Sequence, residues 1–133
     1  MQWASAVSTE REITAAAAEL KRELARNTGN ATADLVTAFV TPHYEDDLDR
    51  LPRLIADSFA PKTFIGCTAI GVIGGGRELE EVPGLALTAA VLPGVEITPF
   101  HLGPGDLPDL DSGPDRWVET LGVDREPTPH FLM

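Results

Sequence analysis

The spacing of apolar positions changes period several times along the chain, and each change marks an element. Residues Gln2 to Val7 carry Trp3, Ala4, Ala6 and Val7 and predict a short strand. Thr9-Glu10-Arg11-Glu12 follows as a capping box, in which Thr9 and Glu12 each satisfy an orphan amide at a helix start. Ile13, Ala16, Ala17, Leu20 and Leu24 then recur at helical spacing, predicting an amphipathic helix to about Arg26 that Asn27-Thr28-Gly29-Asn30 stops. Asp34 to Thr41 is almost continuously apolar and predicts a buried, central strand. Thr41-Pro42 is a helix opening, with a hydroxyl N-cap and proline at the first helical position. Tyr44, Leu48, Leu51, Ile55 and Phe59 mark one face of that helix. Pro52 interrupts it at about 3 kcal/mol for a helix interior, which predicts a kink or a break.

Thr63 to Thr68 predicts a third strand, also read as central, which runs into Gly71-Val72-Ile73-Gly74-Gly75-Gly76-Arg77. Leu85 to Leu92 and Val95 to Leu102 predict two more strands, and Pro93-Gly94 between them predicts an antiparallel hairpin. The order is β-α-β-α-β followed by antiparallel strands. This is an α/β fold, a mixed β-sheet flanked by helices, because short turns join only antiparallel neighbours. Gly103 to Pro114 reads as a loop and Asp115 to Leu121 as a short helix. His130-Phe131-Leu132-Met133 reads as a strand cut off as it starts, so residues 1–133 are expected to be one domain that continues at its C-terminal side.

Composition narrows the class. A chain of 133 residues with 43% hydrophobic and 23% charged residues can bury a core without a disulfide or metal staple, and is not of disordered type. The net charge of −11 and the scatter of the ten Lys and Arg residues argue against nucleic acid and anionic membranes as partners. Cys67 is the only cysteine, which excludes an intrachain disulfide and fits a reducing, cytoplasmic location. No basic start leads into an apolar run, and no apolar stretch is long enough to span a bilayer.

The most distinctive stretch for chemistry is Ile65 to Arg77. Its glycines permit close backbone approach and could expose amides to an anion; a sharp strand connection packed against a neighbour is the structural alternative. Gly66 and Gly71 have Walker A spacing, but Val72 stands where lysine is needed, and no dinucleotide fingerprint can be read. Cys67 would need a base to act as a nucleophile, and His43 follows the preceding strand on the same expected edge. Core packing is the more ordinary use of a cysteine. His43, His101 and His130 lack metal-motif spacing, and Asp106, Asp109, Asp111 and Asp115 lack the EF-hand pattern, so no metal and no cofactor is expected.

Taken in order, several segments resemble the N-terminal part of the FIST domain, a sensory module of signal-transduction proteins. They are Trp3-Ala4-Ser5-Ala6-Val7-Ser8 with its alanine-rich helix, Asp34 to Tyr44, Ile65 to Glu78, and the stretch ending in Phe100-His101-Leu102. The resemblance covers nearly all of the chain. It implies binding of a small ligand, amino acids among them, and relay of that state to attached signalling domains. It places Cys67, Thr68 and the Gly74-Gly75-Gly76-Arg77 turn near the pocket, with Thr41 and His43 beside them. Arg77 would pair a ligand carboxylate through its planar fork, the structural alternative being an ion pair with Glu78 or Glu80. Two departures stand out: the family domain extends beyond this length with a C-terminal partner region, and Pro52 breaks a helix that such sequences usually carry whole.

Three readings follow. The leading one is a ligand-binding sensory module of intracellular signalling, without catalysis, whose partners are a small molecule such as an amino acid or small carboxylate and a signalling protein or further C-terminal domain. The second is an enzyme using Cys67 with His43. The third is an interaction scaffold with an acidic surface and an open sheet edge.

Overall fold

The computed structural model describes residues 1–29, 31–109, 111–126 and 128–132. The chain forms two compact units, Met1–Val95 and Glu96–Met133. The first contains β1 (Gln2–Ser8), α1 (Ile13–Thr28), β2 (Leu35–Val40), a 3-10 segment (Pro42–Arg50), α2 (Leu51–Phe59), β3 (Thr63–Thr68), β4 (Gly71–Gly74), β5 (Arg77–Glu80) and β6 (Leu85–Val91). The second contains α3 (Pro114–Leu121).

Four strands form a mixed sheet in the order β1-β6-β2-β3. β6 is antiparallel to both β1 and β2, while β2 and β3 are parallel. The strands therefore interleave with helices as an α/β fold, and the carboxyl ends of β1, β2 and β3 lie along one rim. β4 and β5 form a separate antiparallel hairpin whose turn is Gly75-Gly76, both at positive φ.

Strand alternation assigns the two faces of the sheet. Ala4, Ala6, Val36, Ala38, Val40, Leu85, Leu87 and Ala89 pack against Ile13, Ala16, Leu20 and Leu24 of α1 and Leu51 and Ile55 of the following helix. The alanines on this face leave room for α1 to lie close. On the other face the hairpin brings Val72 onto Val7 and Ala86. Beyond the hairpin, Trp3, Phe39 and Ile65 stay exposed at 54%, 44% and 37%.

Four expectations are corrected. Val95 to Leu102 forms no strand: Pro93-Gly94 does turn, with Val95 N–H donating to Leu92 O at 3.1 Å. However, β6 already pairs along its whole length with β1 on one side and β2 on the other, so no free edge remains for a hairpin partner. β3 is an edge strand, not a central one. The helix α1 starts at Ile13 with Glu12 as its N-cap, not Thr9; the Glu12 carboxylate accepts from Thr14 N–H at 3.1 Å and Ala15 N–H at 2.9 Å. Bonds from Thr14, its side chain first, hold the Glu12 carboxyl below its usual range. The break at Pro52 is present: the chain changes from the 3-10 segment to α2 at Leu51, which places Pro52 in a first turn where its missing N–H costs nothing. The anticipated terminal strand is not formed by residues 128–132, and Met133 lies outside the described residues.

Asp34 fixes the start of β2. Its Oδ2 accepts Leu92 N–H at 2.6 Å, and its Oδ1 lies 2.6 Å from Lys62 Nζ. The Lys62 side chain foremost, and then the Leu92 amide, hold the Asp34 carboxyl below the ordinary aspartate value of 3.8. A lowered folded value gives stability that is fully present above the unfolded value and is lost as pH falls through the folded one. The gap in melting midpoint between the wild type and Asp34→Asn should therefore close as the pH is taken below about 4. A gap that stays constant down to that range would contradict this role.

Candidate functional site

The carboxyl rim of β2 and β3 carries the densest set of sequence-predicted residues. Thr41 leaves β2 and is fully buried. Its N–H donates to Gly84 O at 2.9 Å, and Gly84 N–H returns a bond to Thr41 Oγ1 at 2.9 Å. The same hydroxyl donates to Val82 O at 3.3 Å. Thr41 is the N-cap residue and Pro42 opens the 3-10 segment, as Thr41-Pro42 predicts, but the Thr41 hydroxyl makes no cap bond. It clamps the chain entering β6 onto the end of β2. Gly84 has no room for a side chain, since a Cβ there would lie 2.7 Å from Val72 Cγ2 and 3.2 Å from Thr41 Cγ2.

His43 is exposed, and its Nδ1 lies 3.2 Å from Thr41 Oγ1. A hydroxyl has one proton and two acceptor positions. With the Thr41 proton on Val82 O and one acceptor position taken by Gly84, the Nδ1–H tautomer of His43 donates into the other. That assignment leaves Nε2 as an acceptor facing solvent in the neutral ring. Thr68 ends β3 in register with Val40, and Ala69 N–H donates to Val40 O at 2.9 Å. Cys67, in register with Phe39, is exposed with Thr68. The His43 ring bonds Thr41 and not the Cys67 thiol.

Gly74, Gly75, Gly76 and Arg77 are brought elsewhere. A Cβ on Gly74 would lie 2.6 Å from Ala6 O, and one on Gly75 would lie 3.4 Å from Ser5 O, so this turn rests against β1. β1 and β3 are opposite edges of the sheet, three strand spacings or about 14 Å apart. Arg77 is exposed and makes no ion pair among the described residues, with Glu78 and Glu80 included. The close packing of Gly74 on Ala6 matches the structural alternative given for this stretch.

Tyr44 is the rim residue that sequence reasoning placed only as an apolar position. Its ring is buried, and its hydroxyl donates to Glu10 O in the β1–α1 connection. Burial, and then the Glu10 and Glu19 carboxylates, raise its phenol above 10.0, so it stays a donor. Ser8, buried at the end of β1, donates to Glu19 of α1. The signal available for Tyr44 was a hydroxyl-bearing aromatic on an otherwise aliphatic stripe.

Each unit carries an open depression of its own. One, of about 410 Å³, is bounded by Leu24, Thr28, Phe59 and Ala60 at the C-terminal ends of α1 and α2. The other, of about 630 Å³, lies within residues 96–133 among Phe100, Leu102, Trp117, Leu121 and Phe131. Neither is lined by Thr41, His43, Cys67, Thr68 or Gly74 to Arg77. Among the described residues no group of three His, Cys, Asp or Glu side chains could hold a metal ion, and no helix is long and apolar enough to cross a membrane.

Comparison with known proteins decides the family. A family model described as the FIST N domain matches residues 34–107, more than half of the chain. The chain belongs to the FIST N domain family. No curated protein and no solved structure matches it. FIST domains are sensory domains of signal transduction, and the matched span runs from Asp34 through β6, including Thr41, His43, Cys67, Thr68 and Gly74 to Arg77. It is narrower than the near-complete resemblance of the sequence, since β1 and α1 precede it. Within the FIST N span, the Thr41 clamp joins the end of β2 to the start of its neighbour β6. Thr41→Val should leave Gly84 N–H buried without an acceptor and cost about 1–3 kcal/mol. Thr41→Ser should restore most of that stability, and a valine variant that melts with the wild type would contradict the clamp.

Proposed function

We propose that this FIST N domain is a sensory module without catalysis that binds a small ligand at the carboxyl rim of β2 and β3. The ligand class is an amino acid or a related small carboxylate. The observation that carries the reading is the 3.2 Å His43–Thr41 contact, which holds an exposed imidazole at the rim; in the Nδ1–H tautomer its Nε2 is left to accept from a ligand. A ligand ammonium would donate to His43 Nε2, and the Thr68 hydroxyl would donate to its carboxylate. Cys67 would line the side, and Thr41 would act as a positioning residue, its own hydrogen-bonding capacity already filled. Open α/β sheets favour such a rim for ligands because loops and helix starts converge there. Arg77 sits by the opposite edge and stays outside this contact set. The relay would run to an attached signalling protein or domain.

Thermal unfolding against a panel of amino acids, small carboxylates and nucleotides tests this. A ligand at 100 times its dissociation constant stabilises by about 2.7 kcal/mol, which raises the midpoint by about 10 °C at this size. His43→Ala and Thr68→Ala should abolish the shift while the unliganded melt stays within about 0.5 kcal/mol, because both residues are exposed. A midpoint that no compound moves, or a shift that survives both substitutions, would overturn the reading.

A further inference from the structure

The edge of β3 stands apart from the other edge of the sheet. β3 pairs with β2 on one side only, over Thr63–Thr68 and without a bulge. Thr63 N–H and Ala69 N–H both donate toward β2. Peptide groups alternate in direction along a strand, so those of Phe64, Gly66 and Thr68 point away from β2. Natural sheets protect such an edge with charge, proline, a bulge or a covering segment. The Thr-Phe-Ile-Gly-Cys-Thr strand has neither charge nor proline. At the opposite edge the β4–β5 turn lies on the backbone of Ser5 and Ala6 and covers β1 there.

Charge distribution indicates what meets the β3 edge. The chain carries a net charge of −11, yet between Ser58 and Gly76 the only charged residue is Lys62. Lys62 is itself paired with Asp34. Two copies of so acidic a chain repel one another over most approaches, and this edge is a stretch through which they can meet without opposing acids. Beside it, Ile65 and Phe39 present apolar surface on the sheet face opposite α1 and α2. We propose that two copies of this chain associate edge to edge through β3, antiparallel about a two-fold axis at Gly66, to make one continuous sheet. Gly66 then faces Gly66 of the second copy, and Phe64 faces Thr68, as hydrogen-bonded pairs. Ile65 faces Cys67 of the second copy as a non-hydrogen-bonded pair, with Cα atoms about 4.5 Å apart. A strand of six residues buries less than a standard interface, so the association is weak and concentration-dependent.

Sedimentation of the full, unliganded chain from micromolar to millimolar concentration tests this. The mass should rise from 14.2 kDa toward twice that value. Ile65→Lys, which charges the edge, and Thr68→Pro, which removes an outward N–H without touching the β2 ladder, should each hold the chain monomeric with an unchanged circular dichroism spectrum. Trp3→Lys, by the covered edge, should still dimerise. Ile65→Cys should give a covalent dimer through Cys67 of the second copy on mild oxidation, since the pair spacing lies within disulfide range. A monomer at every concentration would overturn the proposal, as would a dimer that persists in both edge variants or an Ile65→Cys chain that does not cross-link. Pairing of the edge with a different chain, and not with its own copy, would give the monomer result.

Discussion

Tyr44→Ala should cost about 3–5 kcal/mol and lower the melting midpoint by about 10 °C or more. The ring is 1% exposed and packs in the main core, so its removal leaves a cavity between the 3-10 segment and the sheet. It also removes the hydroxyl that ties this segment to Glu10 O. Tyr44→Phe separates the two contributions: the ring stays, and only the hydrogen bond is lost, at about 1 kcal/mol. Because His43 precedes Tyr44 directly, the alanine variant should also loosen the His43–Thr41 contact, visible as loss of a single imidazole tautomer by NMR. Equal costs for the alanine and phenylalanine variants would contradict this account, since the ring would then contribute nothing.

Gly74→Val should lift the β4–β5 hairpin from the sheet. The first side-chain carbon would meet Ala6 O at 2.6 Å and Val7 Cβ at 3.1 Å. Backbone of a paired central segment of β1 cannot give way as a flexible side chain can, so the cost is about 1–3 kcal/mol or more. The consequence is local: Val72 leaves Val7 and Ala86, and amide exchange at β4 and β5 should accelerate. Gly76 provides the contrast. It has φ +75 and nothing near its Cβ position, so Gly76→Asn, with a residue that tolerates the left-handed region, should be mild. Similar exchange rates in the two variants would show that packing on Ala6 does not hold the hairpin.

These two positions also show what could be read from the chain itself. β1, α1, β2, α2, β3, β6 and α3 follow from local periodicity, because each buries one face or stripe and the apolar spacing records it. The Pro52 break follows from covalent chemistry alone. The pairing of β1 with β6 across about eighty residues leaves no local trace, and that pairing closes the edge where Val95 to Leu102 is expected to dock. The capping error has a similar origin: the sequence offers both Thr9 and Glu12, and where the strand turns over decides between them. At the site, Thr41 and His43 are near neighbours in the chain, so their contact was within reach of sequence reasoning. The position of Gly74 to Arg77 was not, because it depends on the hairpin folding back across the sheet to β1. The Val82 carbonyl and the Gly84 amide that bond the Thr41 hydroxyl carry no side-chain signature at all.

The most direct test of ligand binding at the β2–β3 rim is backbone amide mapping by NMR, with the amino acid or carboxylate that raises the melting midpoint most. The largest perturbations should fall at Thr41 to Tyr44 and Cys67 to Ile70, with the His43 ring shifted as Nε2 gains a donor. Perturbations centred on Leu24, Thr28 and Phe59, or on Phe100, Trp117 and Phe131, would place the ligand in one of the other depressions and contradict the account.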